Sequence, residues 1–216
     1  MGGTVDTGTG QEHGHSRPQP QVRFLKRLLW ELRADADELW LWLLCAVPLR
    51  LGVWLRARLL PRVLGHLGPH ARVLSGFRVT SADKVHIGAH CNFAQNVFIT
   101  GGGGVRIGDW VGFGPDVKVW SVNHRFDDPD TPWQLQGWDE KEVVIEDDVW
   151  LGAGVFVMPG VTIRRGAIIS ACTVLNKSVP AYAIVAGNPG RVVGWRKRPP
   201  ADASESNAAP AAADPS

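Results

Sequence analysis

"IEDDVWLGAGVFVMPGVTIRRGAIISACTV", residues 145–174, decides the fold: Ile145, Leu151, Val157, Ile163 and Ile169 recur at every sixth position. A half-buried strand repeats every second residue and an amphipathic helix every 3.6, so neither by itself gives this period. A second apolar position follows four residues after the first, at Val97, Val111, Val117, Val149, Val155 and Val161. Small residues follow many hexad openings, as at Gly88, Gly108, Gly114 and Gly152. Hexapeptide periodicity of this kind is the signature of a parallel β-helix. Each hexad supplies a short strand and a turn, three hexads close a triangular coil, and stacked coils bury a continuous aliphatic ladder. The glycines are expected at the corners, where the chain turns without a Cβ clash.

Outward from this stretch, the period reaches back to residue 67 and forward to about 187. Its one long break is "RFDDPDTPWQLQGWDEKE", residues 125–142, a polar loop extruded from the coil. The fold class is therefore mainly β, a β-helix domain over 67–195. Residues 1–20 are rich in Gly, Thr, Gln, Pro and His without apolar periodicity and read as a disordered leader. Residues 196–216, ending in an Ala/Pro/Ser stretch, read as a disordered tail.

Residues 21–66 have another character. In "VRFLKRLLWELR" Leu25, Leu28, Leu29 and Leu32 recur at helical spacing among Arg23, Lys26, Arg27 and Arg33. The uncharged run "LWLWLLCAVPL", 39–49, then leads to Arg50, Arg56, Arg58 and Arg62. A membrane span needs about 20 apolar residues, and this run is shorter and contains Pro48. A true span is therefore the least fitting of three placements, and two others fit an amphipathic segment with Trp and Arg together. One is a helix pair lying in a membrane interface; the other is packing on the β-helix or on a neighbouring subunit.

Composition narrows the classes. The formal charge of +2 gives no footing for nucleic acid. Cys45, Cys91 and Cys172 form an odd, widely spaced set, without disulfide or metal-site spacing. With no secretory leader pattern, a reducing cytoplasmic location is expected, peripheral at the inner membrane face if residues 22–65 attach there.

Four motifs carry a resemblance: "NHRF" at 123–126, "QGW" at 136–138, "VVIEDDVWLGAGVFVMPGVTI" at 143–163 and "VPAYAIVAGNPGRVVG" at 179–194. Over roughly 67–195 the chain resembles the left-handed β-helix hexapeptide-repeat acyltransferases. It is most similar to the branch containing maltose, galactoside and nodulation-factor O-acetyltransferases. The resemblance implies a homotrimer with active sites in the clefts between neighbouring β-helices, acetyl-CoA as co-substrate, and no metal. It also implies transfer to a hydroxyl of a carbohydrate-type acceptor, small or lipid-linked.

The branch's catalytic histidine directly precedes the extruded loop, which corresponds to His124. The hexad pattern agrees, since His124 closes "VWSVNH" at the point where the repeat breaks. An oriented, accessible imidazole can take a hydroxyl proton at neutral pH. For coenzyme A, the motif matches fall on Trp150, Ala153, Ala171, Asn176, Lys177 and Arg191, the last two supplying charge for phosphates. Asn96 in "FAQNVF" is a weaker candidate for the acceptor's oxygens, and Asp127 or Asp128 could orient His124. The chain departs from the family at Gly194, where galactoside-type members have an arginine, at "IRRG" (163–166) and at "SACT" (170–173). Residues 1–66 do not resemble the family's N-terminal cap.

Two other functions are open on this fold. One is a non-catalytic trimeric scaffold or binding module. The other is a zinc enzyme like the gamma-type carbonic anhydrases, using His86, His90 and His124, although their order along the chain is reversed from that family's.

Overall fold

A computed structural model describes residues 39–197, and the leader and most of the tail lie outside them. By internal contacts the chain divides into residues 1–40 and 41–216, and the second unit holds the fold described here.

That unit is a three-faced parallel β-helix. The first face stacks His66–Leu67, Val85–Ile87, Val105–Ile107, Val143–Ile145 and Thr162–Ile163. The second is seven-stranded and includes Arg72–Val73, Asn92–Phe93, Gly112–Phe113, Trp150–Leu151 and Ile168–Ile169. The third stacks Arg78–Thr80, Phe98–Thr100, Lys118–Trp120, Phe156–Val157 and Val174–Leu175. Register is strict, with Val85 opposite Val105 and Val105 opposite Val143. The pairing of Val105 with Val143 steps over the 125–142 insertion, which leaves the coil and returns without disturbing the stack.

The sixfold period is the inward column. Leu151, Val157, Ile163 and Ile169 are fully buried, as are Val149, Val155 and Val161 between them. Near the N-terminal end Phe93 stacks on Phe113 at 4.3 Å and meets Phe77 edge-on at 5.7 Å. Burying one such side chain stabilises the fold by about 1.5–3 kcal/mol, so the ladder is its main source of cohesion.

The glycines after the hexad openings act differently from the expected corner role. The left-handed corner positions are held by other residues: Gly154, Gly160 and Gly166 at some, and at others Asn96, Trp110, Asp116, Asp148 and Cys172, these five each near φ +60°. Gly88, Gly108, Gly114 and Gly152 have no positive φ. Their missing side chain matters because the next coil passes directly beneath: a Cβ on Gly152 would stand 2.6 Å from the Ala171 backbone nitrogen. One on Gly114 would stand 2.6 Å from that of Ala153. Close stacking of coils, not backbone freedom, selects glycine there.

Both ends of the stack are covered. The helical residues 41–46 (α1) and helix α2 (Leu49–Leu59) lie at the first coil, with Leu44, Cys45, Leu60 and Leu64 joining the core. Arg56 is the fastener. Fully buried, it donates from Nε to the Val73 carbonyl (2.8 Å) and from Nη1 to the carbonyls of Leu44 (3.1 Å), Cys45 (3.3 Å) and Val47 (2.8 Å). Gly52 gives it room, since a Cβ there would stand 2.9 Å from Arg56 Nη2 and run into the Val47 carbonyl. At the other end Ala183–Ala186 and Arg191–Trp195 form an antiparallel pair that ends the parallel stacking. Such polar or irregular caps are what a solenoid needs at its termini.

Candidate active site

The extruded loop is a hairpin, and its two sequence motifs are its two strands. Val122–His124 pairs antiparallel with Trp138–Glu140, placing His124 opposite Trp138. The tip is tied by one amide: Gln136 Nε2 donates to the carbonyls of Asp128 and Thr131, both at 2.7 Å, and its Oε1 accepts from the Asp128 N–H at 3.0 Å. Gly137, at φ +82°, takes a turn that a side chain would strain. "QGW" is thus a stitch, a turn and an indole.

That indole covers the histidine. The Trp138 ring centroid lies 3.8 Å from that of His124 at a 33° tilt, and Trp133 from the loop stands edge-on at 4.6 Å. The half-buried His124 opens on a cavity of about 500 Å3 lined by Phe98, Thr100, Trp120, Asn123, Trp138 and Glu140, among others. Among the described residues the imidazole receives no side-chain hydrogen bond, and Asn123 Oδ1 accepts from the His124 backbone N–H at 3.0 Å. The Trp120 indole N–H is buried with no acceptor among the described residues. An orphaned donor of that kind in a cavity wall is a place for a ligand oxygen.

Asp128 does not orient His124. Its carboxylate accepts from the Thr131 hydroxyl (2.7 Å) and the Asp130 N–H (2.9 Å), bonds that hold its pKa below the ordinary aspartate value. It organises the loop tip. Asn96 is likewise elsewhere, at the corner between the second and third faces with φ +61°, and does not line the His124 cavity.

The residues matched to coenzyme A are divided between edges. Trp150 is 56% exposed on the second face, lying over the bare Gly112 of the coil before. Ala153 and Ala171 are exposed one above the other at the corner between the second and third faces, linked through the Cys172 N–H to the Ala153 carbonyl at 2.8 Å. Arg191 begins the terminal strand beside that corner, since its neighbour Gly190 donates to the Val174 carbonyl. Asn176 and Lys177, by contrast, follow the third-face strand Val174–Leu175 and lie on the edge from which the His124 hairpin springs two coils earlier. Lys177 and Arg191 are exposed and form no ion pair among the described residues.

The histidines of the zinc alternative do not converge. His86 is on the first face, and His90 is stacked at a corner between His70 (4.8 Å) and Trp110 (4.0 Å, 5° between planes). Among the described residues no group of three or more His, Cys, Asp or Glu side chains is placed to hold a metal.

Sequence reasoning missed the cavity walls. Phe98, Thr100 and Trp120 were not singled out, although they occupy outward positions of adjacent coils, with Thr100 opposite Trp120, and Trp138 entered only as the end of the "QGW" motif. The signal lay in the coil length, which a count of hexads alone does not give.

Comparison with known proteins places these features in context. A family model described as bacterial transferase hexapeptide (six repeats) matches residues 142–177. Nodulation protein L of Rhizobium meliloti is 36% identical over 133 residues, 61% of this chain and 70% of that protein. The galactoside O-acetyltransferase of Lactococcus lactis is 31% identical over 132 residues, 61% of this chain and 63% of that enzyme. Among solved structures, a hexapeptide-repeat acetyltransferase of Vibrio cholerae complexed with acetyl coenzyme A superposes with a TM-score of 0.69 at 31% identity, covering 76% of this chain and 87% of that one.

Proposed function

The chain belongs to the hexapeptide-repeat acetyltransferases, and within that family we propose that it moves an acetyl group from acetyl-CoA to a hydroxyl of a carbohydrate-type acceptor, with His124 as general base. The observation that carries this reading is His124 itself, at the mouth of an aromatic-walled cavity and held under Trp138 by strand pairing. Aromatic walls offer flat apolar surface to the C–H faces of a sugar ring. Thr100, Asn123, Glu140 and the unpaired Trp120 N–H offer polar contacts to its hydroxyls.

Acetyl-CoA supplies the acyl group as a thioester, already activated toward attack. His124 takes the proton of the acceptor hydroxyl as its oxygen attacks, then returns it to the departing sulfur. Charge building on the carbonyl oxygen requires a preorganised donor, and a backbone N–H on a facing coil edge is the fitting one. Ala153 and Ala171 leave a small-residue edge for the pantetheine arm, Trp150 a flat surface beside it, and Asn176, Lys177 and Arg191 polar and cationic ends for the phosphates.

His124 and the Ala153–Ala171 edge lie on different corners of one prism, so a site holding both is completed by a second copy. We therefore read the enzyme as a closed homotrimer, each cleft taking its histidine edge from one copy and its alanine edge from the next.

The test is thiol release from acetyl-CoA over a panel of sugars and nucleotide sugars, wild type beside His124→Ala. The expected result is acceptor-dependent release that falls by about 10²–10⁴-fold in the variant, the range for a lost general base. Equal release by both proteins would remove His124 from the mechanism. No release from either, together with no coenzyme binding, would leave the scaffold function as the better account.

A further inference from the structure

The helical cap has two apolar faces, and the β-helix uses one. Leu44, Cys45, Leu60 and Leu64 point into the core, whereas Trp42, Leu43, Leu49, Leu51 and Trp54 are each more than half exposed. An exposed cluster of this size on a compact unit marks an interaction surface. Leu49 adds to the oddity, since it holds a left-handed φ of 63° that leucine seldom takes, with its side chain outward.

Within the cap itself, residues 39–62, the charges have one sign. Between residues 39 and 62 the charged side chains are Arg50, Arg56, Arg58 and Arg62, with no Asp or Glu. Arg56 is consumed internally, and the other three are exposed. Arg58 lies 5.5 Å from the Trp54 ring centroid, keeping a guanidinium beside an indole. Beneath α2 runs a groove of about 850 Å3 in which Leu49, Val53 and Trp54 form apolar wall and Arg50 and Arg72 supply cations, with no acidic residue in its lining among the described residues.

We propose that this face docks on an anionic phospholipid bilayer. Indoles and leucines would enter the boundary between headgroups and acyl chains, with Arg50, Arg58 and Arg72 at the level of the phosphates. Charge argues for this occupant over a second copy of the chain. A self-complementary contact between two copies would set arginine against arginine. Attachment is in the plane of the bilayer: among the described residues no helix is long and apolar enough to cross a membrane. This inference is independent of the reaction proposed above.

The experiment is flotation of the full chain with vesicles of phosphatidylcholine alone and of phosphatidylcholine mixed with phosphatidylglycerol. Expected is partition at least about tenfold stronger to the mixed vesicles, weakening as salt is raised. Trp42→Ser/Trp54→Ser and Arg50→Ala/Arg58→Ala should each cut that partition about tenfold while circular dichroism is unchanged, since all four side chains are at the surface. Equal flotation of wild type and both double variants would overturn the proposal, as would no flotation at all. Unchanged flotation with a smaller assembly mass in the tryptophan variant would instead assign the face to a contact between copies.

Discussion

At the scale of single residues, burial sets the chemistry of the cysteines and of Arg56. Desolvation pushes the Cys45 and Cys91 thiols up to about 11, while Cys172 is exposed. A disulfide-exchange reagent at mildly alkaline pH is therefore expected to titrate one thiol in the native chain and three after denaturation. Cys172→Ser should reduce the native count to none. The linkage sign follows from the same shift. Folded thiols with raised pKa values hold their protons while unfolded ones lose theirs, so the contribution to stability is full below about 8.5, the unfolded value, and is lost as pH rises toward 11. Denaturation midpoints measured across that window should fall with rising pH. Arg56 presents the converse case, a buried cation whose pKa desolvation lowers and whose partners are all carbonyls. Arg56→Met would leave those carbonyls unpaired in the core, at a cost of about 3 kcal/mol or more. Urea unfolding would read this as a lowered midpoint, and a change under about 0.5 kcal/mol would mean the fastening role is wrong.

At the scale of elements, the hairpin is the part whose order the histidine depends on. Its tip is organised by the Asp128 carboxylate and the Gln136 amide, and its second strand delivers Trp138. The Thr131 hydroxyl first, and then the Asp130 N–H, depress the Asp128 pKa. A depressed carboxylate contributes order that is complete above the unfolded value, about 3.9, and is lost as pH falls through the lower folded value. The indole N–H resonances of Trp133 and Trp138 should shift in that acid window, and Asp128→Asn should abolish this transition. Gln136→Ala removes three hydrogen bonds at once and is expected to slow turnover by loosening the loop while the melting temperature of the β-helix stays near wild type. A melting shift as large as that of a core substitution would show that the hairpin is part of the fold's stability.

At the scale of the whole molecule, the proposed trimer, with each cleft shared between two copies, makes a prediction that no single chain can mimic. His124→Ala removes the proposed base from one edge, and Ala153→Trp fills the other. Each variant alone should be inactive. After co-refolding in equal amounts, a randomly mixed ring would contain about one intact cleft in four, restoring about a quarter of wild-type activity. Absence of recovery, with mixed assemblies demonstrated by mass, would place the whole site within one copy.

The sequence by itself determined the β-helix, its inward ladder, the position of the extruded loop and the candidacy of His124. The first three depend on periodicity along the chain, and the candidacy of His124 on the family resemblance together with its place where the repeat breaks: Ile145, Leu151 and Val157 are buried because every hexad repeats the same turn, and a break in the repeat is visible without coordinates. Only the tertiary structure decided what lies across from what. It put Trp138 over His124, Trp120 and Thr100 into one wall, Lys177 on a different edge from Ala171, and the glycines after the hexad openings hard against a neighbouring coil. Those relations follow from the stacking register, which is set where one coil's backbone bonds to the next. A hairpin or a coil two residues longer than its hexads changes every such pairing while leaving the sixfold pattern almost intact.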